Sequence, residues 1–272
     1  WQAVKAIASW SDLDVITNAA DWSVIARSGL TGICRAIPIG SNIRSEPPAD
    51  YDRSRTRSAW NAGPRDWLLG YFGFLNESKG GETLVRALAE MVAAGKPARL
   101  LMVGGKVGSS DATNAAYLER VERLIRDLGV VDRVQWTGFT PPTEVSPNLL
   151  AADCAVLPYQ EGATLRRGSL MAALAHGLPV VSTEVSSVAP ETRTLFPMLQ
   201  HEVSALMVPP NSPGALATAV TRVMEDPALR QALAAGALSL SDHFRWTTIA
   251  ERHLALYREV VERLPAPVDL DQ

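Results

Sequence analysis

The sequence predicts an α/β protein built on a doubly wound parallel sheet, with a helical extension at its C-terminal end. Two observations carry that prediction. Short apolar runs alternate with longer stretches of helical periodicity, at intervals of roughly 30 residues, the length of a βαβ unit. The runs are also nearly continuous, without the period-2 alternation of a half-exposed strand, so helices should cover both faces of the sheet. Right-handed crossovers then follow from the general handedness of such connections.

Taken in order, the expected strands are residues 14–18, 35–39, 67–72, 99–103, 134–137, 154–158, 179–182 and 205–208. Helical periodicity runs over 81–94 through Leu84, Leu88 and Met91, with Gly95 placed to end it. It recurs over 115–128 through Leu118, Val121, Leu124, Ile125 and Leu128, ending at Gly129, and over 168–175, ending at His176-Gly177. After residue 208 the chain turns helical over 213–225, 227–238 and 247–263, with Pro227 suited to a first helical turn. Residues 45–64 are polar and rich in Arg, Asp, Ser and Pro, and read as a loop holding at most a short helix. They divide a first fragment of at most two strands, too few to stand alone, from the main sheet. The tail, 265–272, is expected to be disordered.

Composition narrows the function classes. Hydrophobic residues make up 47% of the 272 and charged ones 20%, ordinary for a soluble globular chain. A net charge of -3 argues against nucleic acid as a partner, because a phosphate-backbone binder carries a basic excess. No apolar stretch reaches the ~20 residues of a membrane span. The two cysteines, Cys34 and Cys154, are too few for a zinc site and read as buried thiols, which fits a cytoplasmic location. No signal peptide is visible, and a start at Trp1 without an initiating Met suggests further residues upstream.

In an open parallel sheet, ligands bind at the carboxyl ends of the strands, where glycine turns admit the backbone and helix N-termini favour anions. Three strand ends here have that character. Gly73-Phe74-Leu75-Asn76-Glu77-Ser78-Lys79-Gly80 opens a helix with a lysine at its start. Gly104-Gly105-Lys106 follows the next strand. Tyr159-Gln160-Glu161-Gly162-Ala163-Thr164-Leu165-Arg166-Arg167-Gly168-Ser169 opens the 168–175 helix. None is a Walker A loop or a GxGxxG fingerprint. Together they set cations and backbone donors on one rim of one sheet.

The order of segments resembles the retaining glycosyltransferases of family 4, which have the GT-B fold. The resemblance rests on Gly73-x-Leu75-x-x-x-Lys79-Gly80, Arg99-Leu-Leu-Met-Val-Gly104-Gly105, Val134-x-x-Thr137-Gly138-Phe139-x-Pro141 and Ala151-Ala152-Asp153-Cys154-Ala155-Val156-Leu157-Pro158. It continues through Glu161-Gly162, Ala175-His176-Gly177-Leu178-Pro179-Val180-Val181 and the closing segment from Phe244 to Arg252. It implies two Rossmann-like domains. Residues 1–40 would be the end of an acceptor-binding domain. Residues 41–264 would be the GT-B C-terminal domain that binds the nucleotide-sugar donor, with the returning helix. A chain lacking the acceptor domain is expected to be inactive alone.

Residue by residue, the resemblance gives Lys79 to the donor phosphates, and Gly138 and Phe139 to the base, mainly through backbone groups. Sugar and backbone contacts fall to Gly73, Gly162, Ala163 and Thr164. Glu161 resembles the first of two family glutamates eight positions apart and is the catalytic candidate. Two departures stand out. Phe74 occupies the place of a family arginine, and the second glutamate is replaced by Ser169, or by Ala172 if the count runs back from Gly177. Arg166, Arg167 and Ser169, at a helix start, are therefore the candidates to supply the missing phosphate contact. No cofactor or metal is expected. Asp12-Leu13-Asp14 precedes a strand and reads as a chance match to a metal motif; His176 reads as a cap or packing group, and Trp246 as the anchor of the closing helix. The expected function is transfer of a sugar from a nucleoside-diphosphate sugar to an acceptor the sequence does not name, with retention. The alternatives are a non-catalytic nucleotide-sugar-binding domain, or an epimerase or hydrolase on the same fold.

Overall fold

The computed structural model describes residues 2–30, 34–106, 112–185 and 194–263. The expected tail and residues 1, 31–33, 107–111 and 186–193 lie outside these. The chain divides into two compact units. The smaller comprises Trp1–Gly40, Val188–Pro197 and Asp242–Gln272, and the larger comprises Ser41–Ser187 and Met198–Ser241.

The smaller unit starts with α1 (Gln2–Trp10), β1 (Asp14–Ile16), α2 (Ala19–Ala26) and β2 (Cys34–Ala36). Asn18 caps α2, its side chain accepting from the Asp21 backbone N–H. The larger unit contains α3 (Arg53–Ala59), β3 (Trp67–Phe72), α4 (Gly81–Ala93), β4 (Ala98–Val103), α5 (Ala112–Asp127), β5 (Val134–Trp136) and α6 (Pro142–Ala151). It continues with β6 (Cys154–Leu157), α7 (Gly168–Ala175), β7 (Val180–Thr183), β8 (Leu206–Val208), α8 (Pro213–Glu225) and α9 (Pro227–Ser241). The chain then returns to the smaller unit as α10 (Trp246–Arg263). Where the sequence groups this helix with the larger domain, its contacts group it with the first fragment. Ile249 and Leu256 pack with Ile37, Arg35 pairs with Glu259 at 2.7 Å, and the Trp246 indole lies against Gly40 with no room for a Cβ. Two parallel strands, β1 and β2, thus gain an apolar cover.

All six strands of the larger sheet are parallel, in the order β5-β4-β3-β6-β7-β8. From β3 the chain winds outward through β4 to β5, then crosses back to place β6 on the other side of β3. The winding direction therefore reverses between β3 and β6, and at such a switch point a crevice opens outside the carboxyl ends. Residues of β6 and β7 are buried throughout, as are Leu68, Leu69, Leu100 and Leu101 of β3 and β4. Cys154 is among them, its thiol pushed up to about 12 by burial and so inert.

Two polar or proline-marked stretches are more ordered than their composition suggests. The crossover helix α6 carries Pro147 inside it and Pro142 at its start, which breaks up the pattern that would announce it. Within residues 45–64, Asp52 caps α3 and Arg57 is buried at 6% exposure. Its guanidinium donates to the carbonyls of Ala151, Gly63 and Asp66 and to Asp153 Oδ2 at 2.9 Å. Arg53 binds the other oxygen of Asp153 at 2.6 Å, and the Leu68 N–H donates to Oδ2 at 2.7 Å. This network pins α3 to the amino ends of β3 and β6, opposite the ligand rim. Among the described residues, no helix is long and apolar enough to cross a membrane.

Candidate nucleotide-sugar site

Three adjacent strand ends form the first part of the rim. β3, β4 and β5 each run into a glycine with positive φ: Gly73 at 111°, Gly104 at 110° and Gly138 at 74°. Gly104 is bridged to Gly138, its N–H donates to Thr137 Oγ1 at 2.9 Å, and a Cβ on it would stand 3.6 Å from the Gly73 Cα. This floor presents backbone without side chains, open to close approach by a ligand. Phe139 follows it and is 81% exposed, while Phe74, in the family arginine's place, is 46% exposed.

Lys79 reaches the same floor. It ends a short 3₁₀ turn (Glu77–Lys79), after which Gly80, at φ 69°, starts α4. A Cβ on Gly80 would lie 1.9 Å from the Pro158 carbonyl oxygen, so only glycine lets the loop after β3 close on the loop after β6. A hydrogen bond from Gln160 N–H to the Ser78 carbonyl, 2.9 Å, fastens the two. A Cβ on Gly73 would stand 2.6 Å from Lys79 Nζ and 3.8 Å from Ser169 Cβ, which puts the ammonium beside the start of α7. Among the described residues Lys79 makes no ion pair. Burial, with the nearby Arg167 charge adding to it, lowers its pKa to about 8.

The turn after β6 supplies the other wall. Tyr159 is fully buried; Thr183 Oγ1 donates to its carbonyl at 2.6 Å, and the Ala163 N–H donates to the Thr183 carbonyl at 2.9 Å. Gly162, at φ 88°, packs so tightly on the Glu184 carbonyl that a Cβ would stand 2.4 Å away. Ala163 is thus buried in the turn, and Thr164 accepts from the Arg167 N–H at 3.1 Å. The Arg167 guanidinium stacks 4.5 Å over the Tyr159 ring, donates to Ser78 Oγ at 3.4 Å and stands 3.6 Å from Glu161. The Glu161 side chain is 81% exposed. Arg167 is also the N-cap of α7 and gives it no side-chain cap, so the Gly168 and Ser169 N–H groups stay available for a ligand. Ser169 Oγ meets Tyr159 Oη at 2.7 Å.

Lys79, Arg167, Ser169 and Glu161 are therefore brought together at the switch point. Gly73, Gly104 and Gly138 floor the site, and Phe139 stands at its end. Arg167 is tied to this cluster by its contacts with Tyr159, Ser78 and Glu161, whereas Arg166 is exposed. Tyr159, Ser78 and Thr183 are the residues that sequence reasoning missed. A tyrosine directly after a buried strand, needing a partner for its hydroxyl, was the available sign of the first. His176 is structural: buried, with Nδ1 on the Ala172 carbonyl at 2.7 Å and Nε2 on Ser146 Oγ at 2.9 Å. His201 accepts from the Met207 N–H, and Glu202 pairs with Arg222, which lowers its carboxyl pKa.

Comparison with known proteins bears on this arrangement. A family model described as "Glycosyl transferases group 1" matches residues 67–226, more than half of the chain. The chain belongs to this glycosyltransferase family. It is 30% identical over 228 residues to the D-inositol 3-phosphate glycosyltransferase of Corynebacterium jeikeium, covering 83% of this chain and 52% of that protein. The chain thus spans about half the length of the curated relatives it matches. Sucrose-phosphate synthase from Thermosynechococcus elongatus superposes with a TM-score of 0.71 at 27% identity, over 97% of this chain and 62% of that one. Anabaena Alr3699/HepE, solved with UDP and glucose, superposes with a TM-score of 0.77 at 20% identity, over 94% of this chain and 66% of that one. The larger unit is thus the parallel α/β sheet found in GT-B glycosyltransferases, with helices extending it at the C-terminal end.

Proposed function

We propose that the larger unit holds a nucleoside-diphosphate sugar at the β3/β6 switch point, and that the protein transfers the sugar to an acceptor with retention, in the manner of family 4. One observation carries the proposal: the Lys79 ammonium, which makes no ion pair among the described residues, lies with Arg167 beside the start of α7, where the N-cap side chain makes no capping bond. Two cations and two free N–H groups converging there suit a diphosphate better than any neutral ligand. The solved relative that holds UDP and glucose supports the same choice of ligand class.

In this reading the diphosphate lies over Gly73, between Lys79 and Arg167, with the Ser169 and Gly168 N–H groups donating to it. The base extends over the Gly104–Gly138 bridge towards Phe139, which meets it mainly through backbone. As the glycosidic bond breaks, negative charge grows on the leaving diphosphate. Lys79 and Arg167 stabilise that growing charge more than they stabilise the ground state, and this difference lowers the barrier. Glu161, 3.6 Å from Arg167 before the donor arrives, is displaced by phosphate and turns to the sugar hydroxyls. No metal or cofactor is assigned a part. The two buried cysteines suit a reducing, cytoplasmic setting.

Phe74 favours a second reading, nucleotide-sugar binding without turnover, because it leaves the family arginine's place without a charge. Incubating the complete protein with UDP-, GDP- and ADP-sugars and a broad acceptor panel separates the two. Glycosylated product with the donor's anomeric configuration supports transfer. Nucleotide binding with no product from any pair supports the second reading and removes the first.

A further inference from the structure

We infer that Tyr159 is a positioning residue for the leaving diphosphate: its ring seats the Arg167 guanidinium, and its hydroxyl turns the Ser169 hydroxyl outward to donate to a phosphate oxygen. This rests on the diphosphate reading above and goes beyond it, because the sequence assigns Tyr159 nothing and leaves open how Ser169 would act.

Tyr159 is fully buried, and the one polar atom within hydrogen-bond distance of its hydroxyl, among the described residues, is Ser169 Oγ at 2.7 Å. A phenolic O–H without an acceptor in a dry interior carries a full desolvation penalty. If Ser169 donated to Tyr159, the phenolic proton would be left in that state. The favourable arrangement has Tyr159 donating to Ser169. The serine proton is then free, and it points away from the tyrosine. Ser169 is the second residue of α7, and a Gly73 Cβ would stand 3.8 Å from its Cβ and 2.6 Å from Lys79 Nζ. An anion over Gly73 is therefore within reach of the serine proton. A donor that is itself accepting a hydrogen bond is polarised and donates more strongly.

The ring has a second role. The Arg167 guanidinium lies 4.5 Å over it and also meets Ser78 and Glu161. An arginine held this way keeps its direction when Glu161 gives way to phosphate. Less ordering is then needed at the moment of binding.

A double-mutant cycle with Tyr159→Phe and Ser169→Ala tests the relay, read by calorimetric titration of UDP, GDP, ADP and inorganic pyrophosphate, with ligand-free thermal midpoints recorded alongside. Tyr159→Phe keeps the ring under Arg167 and removes only the hydroxyl. It should weaken diphosphate binding about 3- to 10-fold, in line with one lost hydrogen bond. Ser169→Ala should weaken it by about 10-fold, and the double variant should match Ser169→Ala within about twofold, because the hydroxyl acts only through the serine. A purely structural tyrosine would lower the thermal midpoint and give independent, multiplying losses. Wild type that binds none of the four ligands overturns the diphosphate reading and this inference with it. Wild type that binds while Tyr159→Phe is silent, or while the two losses multiply, overturns the relay alone.

Discussion

Gly80→Ala perturbs the closest approach in the site, and its cost can be divided into two parts. The first is conformational: Gly80 has φ 69°, and an L-residue there costs roughly 1–2 kcal/mol. The second is steric: the new Cβ would lie 1.9 Å from the Pro158 carbonyl oxygen, both atoms of the backbone framework, so the loops after β3 and β6 must part. Overpacking of this kind costs roughly 1–3 kcal/mol more. Gly95→Ala isolates the first part, because Gly95 has φ 72° but nothing within 4 Å of its would-be Cβ. Urea unfolding of the two variants at unchanged slope should therefore show Gly80→Ala less stable than Gly95→Ala by roughly 1–3 kcal/mol. Nucleoside-diphosphate binding should weaken in Gly80→Ala only, since Lys79 moves with the loop. Equal midpoints for the two variants would refute the claim that these loops are locked together at this point.

The remaining predictions concern charge. Lys79, with its pKa lowered to about 8, is cationic at neutral pH and loses its proton as pH rises through 8, so diphosphate affinity should fall over that range and Lys79→Arg should flatten the profile. His176 has a folded pKa below the ordinary 6.5, so the unfolded chain takes up the proton first. Its contribution is complete above about pH 6.5 and is lost as pH falls below that. Denaturation curves of His176→Asn should lack this acid-side loss while showing lower stability at pH 7.5, by roughly 1–3 kcal/mol for the disrupted buried hydrogen bonds. Asp153→Ala leaves Arg57 buried without its counter-charge and should cost roughly 3–5 kcal/mol in chemical denaturation, whereas Arg53→Ala, on the exposed side of the same carboxylate, should cost about 1.

Much of this was legible in the sequence because the informative features are local. Buried parallel strands are continuous apolar runs, so β3, β4 and β6 fall where Leu68-Leu69, Leu100-Leu101 and Ala155-Val156-Leu157 stand, and Gly95, Gly129 and Gly177 mark helix ends by needing positive φ. What depends on distant partners was hidden. Nothing near Arg57 announces that it folds inward onto Asp153, 96 positions away. Prolines mask α6, and the closing helix belongs with the first fragment through contacts to Ile37 and Arg35 that only tertiary structure creates. In the site, the family resemblance pointed to Lys79, and the missing arginine and glutamate pointed to the Arg166-Arg167 turn as its candidate complement. The choice between the two arginines required the ring of Tyr159, a buried side chain that the pattern of cations and glycines does not indicate.

Lys79 and Arg167 are proposed to hold a diphosphate together at the β3/β6 switch point. Calorimetric titration at low salt of the preferred nucleoside diphosphate against wild type, Lys79→Ala, Arg167→Ala and Arg166→Ala tests it most directly. Losses of about tenfold or more are expected for Lys79→Ala and for Arg167→Ala, in line with charge-assisted hydrogen bonds, and a much smaller change for Arg166→Ala. Unchanged affinity in Arg167→Ala, or a larger loss from Arg166→Ala, would contradict it.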